Sequence, residues 1–482
     1  MVDGDSSVPT EILSIFMPRL KEMLSRVNEL SPKVPFEEND GIAVGKLILE
    51  SMYTKGRVYH SMNHVFNITQ NCTIHNHPLL VLATLFHDII YYSVDKTFKT
   101  SQLELFDGVL VFEDDNDNDT NTNNCNGNTD TDKHGRQLHQ PLMLSTEAEK
   151  DPLIYMVMRL FDMKSGVPLP TSGTNEFLSA VIGVRVLSTW LSLPQLMQIT
   201  VQIEGTIPFR PATPDGTAMD RLYDRLIKVA TDQSEDWLTE SIHLAATMAN
   251  SDLCSFDTSD RDFFLDSNWS LIPEFRPTML DENCSLREYY DEFLALEGKT
   301  KFLHSVVPNI FQVFRNVPSD EELADKQAKT RMNLNLANDY GQVRRLQLFV
   351  LMEFVTIVGE DPDTISGRPF LSMEIPQSQF SRNDKDQNQD EIRELLFLGR
   401  KTGFPWDPAR CLLGAYLYDK LGKRGVDRAV EVGKNGAPGG GDLLMHLPKE
   451  VVATVASSLG GVLPNRAEAF LEIPNKLGKI LN

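Results

Sequence analysis

Four side chains able to bind a metal or carry a proton fall within one stretch, Arg57 to Tyr92, which reads RVYHSMNHVFNITQNCTIHNHPLLVLATLFHDIIYY. They are His60, His64 and the adjacent pair His87 and Asp88, and the whole chain holds only 10 histidines. His60 and His64 are four apart, so on a helix they differ by only about 40° and share one face. Such a pair can put both rings on one ion, or keep one ring on the metal and free the other for proton transfer. His87 and Asp88 follow the apolar run LLVLATLF, which places them at or near the core, and an ionised Asp there needs a partner or a metal. The stretch reads as the front half of a metal site.

As a front half, the stretch leaves a further donor to be sought among the later acids. Asp252, in MANSDLCSF, is the leading candidate because it too ends an apolar helix. Asp257 and Asp260 are alternatives in a polar loop, where Asp also serves as a turn residue.

Stepping out from these residues, the elements that must position them are helices. Apolar residues recur at spacings of three and four from Glu11 to Leu30, with Pro18 placed to kink or restart the helix. Further helices are predicted over Ile42–Tyr53, from near Arg57 through HSMNH, and over Pro78–Tyr91, where Pro78 suits the first turn. Others follow over Pro152–Met163, Asn175–Leu193 with Thr174 as its cap, Ala218–Thr231 and Trp237–Leu253. Beyond these, helices are predicted over Ser285–Leu296, Lys299–Phe314 and Glu321–Val358. Strand-like alternation is nearly absent, so the fold class is all-α. The tract Glu113–Asp132, EDDNDNDTNTNNCNGNTDTD, has no aliphatic side chain and reads as a disordered acidic insertion. The domain reading is a helical domain over residues 1–358, a polar linker over 359–390, and a C-terminal helical region over 391–482. Helix signals in that last region lie at Glu391–Leu398, Arg410–Lys420, Pro448–Leu459 and Ala467–Leu471.

The motifs taken together resemble the HD-domain metal-dependent phosphohydrolases, an all-α superfamily. Tyr59, His60 and His64 are similar to the Y-H-N-x-x-H motif of cyclic nucleotide phosphodiesterases, with Ser61 in place of the Asn. The likeness is greater to small predicted HD phosphohydrolases, which combine R-x-Y-H-x-x-x-H, F-H-D-x-x-Y and N-E-x-x-S-A. Arg57, Tyr59, His60 and His64 match the first; Phe86, His87, Asp88 and Tyr91 or Tyr92 the second; Asn175, Glu176, Ser179 and Ala180 the third. The resemblance covers roughly residues 40 to 260 and implies an HD-domain helical bundle, with additional C-terminal helices beyond it. It also implies that His64, His87 and Asp88 are ligands, that a later Asp, for which Asp252 is the leading candidate, is the fourth, and that His60 protonates the leaving oxygen. The glutamine purine clamp of cyclic nucleotide phosphodiesterases has no counterpart here, so activity on cyclic AMP or GMP does not follow.

A His2Asp2 set suits a divalent ion such as Mn, Fe, Ni, Co, Zn or Mg, with positions open for water and phosphate. Glu176 is expected to orient that water or support an imidazole, or else to serve only as a first-turn acid on its helix. Arg57, Arg210 and Arg185 are candidate phosphate contacts. The expected activity is hydrolysis of a phosphomonoester or phosphodiester of a small molecule, such as a nucleotide. Two alternatives carry different chemistry: a nucleotide-sensing or scaffolding module that keeps the fold without turnover, and an iron-dependent HD oxygenase that would recruit His75, His77 and His243.

Composition bounds the partners. With 68 acidic and 46 basic residues the formal net charge is -22, a field that repels nucleic acid and anionic membranes. No apolar run approaches the ~20 residues that span a bilayer. Five scattered cysteines without a C-x-x-C, and no signal-peptide pattern, lead to the expectation of a cytoplasmic protein with reduced thiols. The Gly-rich GKNGAPGGGD lacks the Lys-Ser/Thr of a phosphate-binding loop, and no G-x-S-x-G or Cys beside His offers a nucleophile. Nothing in the sequence sets the oligomeric state.

Overall fold

Short-range capping signals start most of the helices that carry the computed structural model of the protein. The structure describes residues 8–54, 56–71, 76–113, 137–380, 391–436 and 441–480. They form a mostly helical protein. The one ladder among them pairs Phe112 and Glu113 with Leu138 and Gln137. Residues 114–132 of the predicted acidic insertion lie outside the described residues, as do His75 and residues 381–390 of the predicted linker. Among the described residues no helix is long and apolar enough to cross a membrane, and no disulfide joins the described cysteines Cys254, Cys284 and Cys411.

The chain divides into two compact units. The first comprises Met1–Ser255 and Val307–Gln327. Its longer helices are α1 (Thr10–Ser25), α2 (Glu38–Met52), α3 (Met62–Asn71), α4 (Pro78–Phe86), α5 (Pro152–Phe161), α6 (Thr174–Leu187), α7 (Leu193–Gly205), α8 (Ala218–Val229) and α9 (Glu235–Asp252). Local chemistry accounts for these starts. Asp151 accepts from the backbone N–H groups of Leu153 and Ile154 with Pro152 in the first turn of α5, Thr217 and Asp220 make a capping box for α8, and Ser234 caps α9 through Trp237 N–H. Pro18 is carried inside α1 without restarting it.

The centre of this unit is α7, in which every residue from Leu196 to Gly205 is buried. It packs against α4, α6 and α9. The predicted helix Asn175–Leu193 in fact ends at Leu187, and α7 begins a separate element there. Ser192 and Gln195 form a capping box and Pro194 sits in the first turn, a start signal that the periodicity alone runs across. Thr174, predicted as a cap, is the first residue of α6, with Gly173 before it in the left-handed region (φ 82°). Its hydroxyl donates to the Pro170 carbonyl.

The second unit comprises Phe256–Val306 and Ala328–Asn482. It contains α10 (Arg261–Phe275), α11 (Leu286–Val306), most of α12 (Asp320–Ile357), α13 (Glu391–Leu398), α14 (Leu412–Asn435), α15 (Lys449–Val462) and α16 (Ala467–Ile480). Its core includes the fully buried Tyr289, Tyr340, Phe354, Trp406 and Tyr416. Two arginines with no exposed side-chain surface, Arg344 and Arg400, share the equally buried Asp407. This grouping differs from the domain reading by sequence, which drew its boundary at residue 358. Residues 359–380, read as linker, include the short helix Arg368–Leu371, and Phe370, Leu371, Met373 and Ile375 are buried.

Candidate metal centre

The site lies in the first unit, where the start of α3 and the C-terminal ends of α4 and α9 converge. Its front edge is not helical as predicted: Arg57 is irregular, Val58 to Ser61 form a bend, and α3 begins only at Met62. The Ser61 N–H donates to the Tyr59 carbonyl (2.7 Å) and the His64 N–H to the Ser61 carbonyl (3.0 Å). His60 therefore nears His64 through a bend, not along a helix face, with ring centroids 5.7 Å apart. Its ring stacks on Tyr91 at 4.0 Å.

Helix α4 delivers the adjacent pair. The His87 N–H still reaches the Ala83 carbonyl (2.9 Å), so His87 continues the last turn. His87 Nδ1 lies 2.8 Å from the Thr84 carbonyl oxygen. A carbonyl only accepts, so Nδ1 carries a proton and Nε2 faces the site, where a metal ion would displace any proton it holds. His87 Nε2 is 3.0 Å from Asp88 Oδ2 and 3.4 Å from Asp252 Oδ1. His64 Nε2 is 2.9 Å from Asp252 Oδ1 and 3.7 Å from Asp88 Oδ2. One ligand atom from each of His64, His87, Asp88 and Asp252 falls within 4.8 Å of the others, so this group could hold a metal ion. The sequence-based choice of Asp252, the last residue of α9, is the one that joins them.

Electrostatics agree with a cation site. Burial opposes a charge on His87, yet the carboxylates of Asp88 and Asp252 outweigh it and hold its pKa well above the ordinary imidazole value. Burial pushes the Asp88 carboxyl up, but His87 and His60 prevail and bring it down to about 2. For Asp252 burial acts the same way, and the hydrogen bond to His64 together with the nearby His87 imidazole carries it far below the usual carboxylate range. His87 Nε2 and Asp88 Oδ2 are buried and face each other at 3.0 Å without the geometry of a hydrogen bond. Orphaned buried polar atoms are uncommon and costly. A divalent cation would satisfy a lone pair and a carboxylate oxygen together, so the donor set fits such an ion.

The third motif acts on the turn after His-Asp. From α6, Ser179 Oγ accepts from the Ile90 N–H (3.1 Å) and donates to the Ile90 carbonyl (3.3 Å), while Asn175 Nδ2 donates to Ser93 Oγ (3.2 Å). Gly183, one turn further, packs against Phe86. Glu176, on the same helix, has its carboxyl raised to about 7 by burial, reinforced by the charges of Asp88 and Asp252.

The predicted phosphate arginines are engaged elsewhere. Arg57 is buried and donates to Asp95 and to the carbonyls of Asp88 and Ile89. Arg210 pairs with the carboxylate of Glu204, which is buried and also takes Arg225. Arg185 donates to the Leu105 carbonyl and to Asp151. Asp260 caps α10 in the second unit and pairs with Lys401, and Asp257 does not join the converging donors. Neither do His77 and His243. The sequence reading missed Asp95; its only signal is that a buried Arg57 requires a counter-ion.

No protein-family model, no curated protein and no solved structure matches the chain.

Proposed function

We propose that this protein is a cytoplasmic, metal-dependent phosphohydrolase of the HD-domain type, acting on a phosphomonoester or phosphodiester of a small molecule such as a nucleotide. The observation that carries the reading is the convergence of His64, His87, Asp88 and Asp252 within 4.8 Å, from three separate parts of the chain. His87 Nε2 and Asp88 Oδ2, buried 3.0 Å apart without a hydrogen bond, add a demand for a cation. His64, His87, Asp88 and Asp252 would hold one divalent ion of the Mn, Fe, Ni, Co, Zn or Mg group. Bound there, the ion would supply Lewis acidity towards phosphoryl oxygen and acidify a water.

The chain's own groups supply the rest. Thr84 keeps His87 in the tautomer that offers Nε2. His60, outside the four donors but with its ring 5.7 Å from that of His64, would give a proton to the departing oxygen. Glu176, with its carboxyl near 7, can hold or release a proton at neutral pH. The oxygenase alternative would need further histidines, and none of the described ones joins the four-residue group.

The test is elemental analysis of the purified protein alongside a panel of aryl phosphate and nucleotide substrates. Asp88→Ala and Asp252→Ala are expected to lose both bound metal and hydrolysis. Full activity in either variant would sink the reading, and tight nucleotide binding without turnover in any metal would favour the sensing module.

A further inference from the structure

The turn bearing two of the four donors is held from behind by a buried ion pair. We propose that Arg57 and Asp95 position the metal centre, setting its metal affinity through the backbone of Asp88, and that Arg57 makes no contact with phosphate. This inference rests on the metal-centre reading above.

The Arg57 side chain has no exposed surface and that of Asp95 is 9% exposed. Arg57 Nη1 donates to the Asp88 carbonyl at 2.6 Å and Nη2 to the Ile89 carbonyl at 3.2 Å. These carbonyls follow directly on the end of α4, where the helix leaves acceptors without intrahelical donors. Nε donates to both oxygens of Asp95 at 3.0 Å, and Nη2 reaches Asp95 Oδ2 at 2.5 Å. Asp95 Oδ1 also accepts from Thr54 Oγ1 at 2.8 Å. One planar guanidinium thus fastens the residues just before His60 to the His-Asp turn and to the short helix Tyr92–Asp95.

The consequence for the site follows from connectivity. The Asp88 carbonyl held by Nη1 belongs to the same residue whose Oδ2 stands 3.0 Å from His87 Nε2. Releasing that peptide lets the Asp88 side chain swing away from the other donors, while the helices stay packed. Lysine cannot replace this arrangement, because a single ammonium does not present the planar fork that meets a carboxylate and two carbonyls together.

The experiment measures Mn2+ dissociation constants by competition with a fluorescent chelator for the full chain and for Arg57→Lys, Arg57→Ala, Asp95→Asn and Asp88→Ala. Circular dichroism and thermal midpoints establish that each protein is folded at the assay temperature. Arg57→Lys and Asp95→Asn are expected to weaken Mn2+ by about 10–100-fold, as loss of a ligand's supporting partner does. At saturating Mn2+ their KM for p-nitrophenyl phosphate should stay within about twofold of wild type while kcat falls. A lowered thermal midpoint with unchanged Mn2+ affinity in both variants would show a purely structural pair and overturn the proposal. A phosphate contact would instead raise KM in Arg57→Ala, recover in Arg57→Lys and leave Mn2+ affinity alone, which overturns it too. If Arg57→Ala does not fold, the lysine and asparagine variants decide. Wild-type protein that binds no divalent ion overturns the metal-centre reading itself, a failure visible without any variant.

Discussion

At the scale of the residue, His60 and Glu176 divide the proton chemistry in ways that can be separated. His60 lies outside the four-donor group, so His60→Ala is expected to keep its metal while hydrolysis falls by roughly 10²–10⁴-fold. Metal content measured beside turnover on the same preparation checks this, and loss of metal would make His60 a ligand instead. Glu176 gives a prediction without metal. Its carboxyl is raised from 4.5 to about 7 in the folded state, so between those values the native protein binds more protons than the unfolded chain. The sign follows: this group's contribution to stability is fully present below about pH 4.5 and is lost as pH rises through 7. Glu176→Gln in chelator-treated protein should therefore be more stable than wild type at pH 8 by ~1–3 kcal/mol, with the gap closing at pH 5. Urea denaturation at the two pH values measures it, and an equal gap at both would refute the assignment.

At the scale of the element, α7 governs where Asp252 stands. Gly205, near the C-terminal end of α7, packs so close to α9 that an added Cβ would lie 3.0 Å from the Ala245 carbonyl oxygen and 3.2 Å from its Cβ. Backbone cannot yield there as a flexible side chain would. Gly205→Ala should cost about 1–3 kcal/mol by overpacking, read from the denaturation midpoint. A neutral or stabilising result would mean that α7 and α9 can separate without strain. Much at this scale was legible: α4 and α9 were each recognisable as apolar runs ending in a charged residue, and Pro78 marks the start of α4, whereas the start of α9 was read at Trp237 and its cap Ser234 was missed. Two other features were not legible. The His60 bend was hidden because a four-residue spacing imitates a helix whether or not the backbone is helical. The α6–α7 break was hidden because periodicity runs through it, although Ser192, Pro194 and Gln195 signal a new start.

At the scale of the whole molecule, all four donors belong to the first of the two compact units. A ligand that binds only the native state stabilises what it binds. Calorimetry of the full chain should show a divalent ion at 100 times its Kd raising the transition of the first unit by about 2.7 kcal/mol and leaving that of the second in place. Equal movement of both would contradict two separate units. The sequence by itself determined the fold class, because helical periodicity and caps are local, and it marked His87 and Asp88, which follow an apolar run, while the family resemblance added His64. The sequence also singled out Asp252, since an acid at the end of an apolar helix needs a partner wherever the chain leads it. Only the tertiary structure decided that Asp252 reaches His64 across 188 positions, because that distance depends on how α9 packs on α7. Packing likewise assigned the arginines. A sequence shows that Arg57 and Arg210 carry charge, but whether that charge faces a phosphate or a buried Asp95 and Glu204 depends on which acids folding brings beside them.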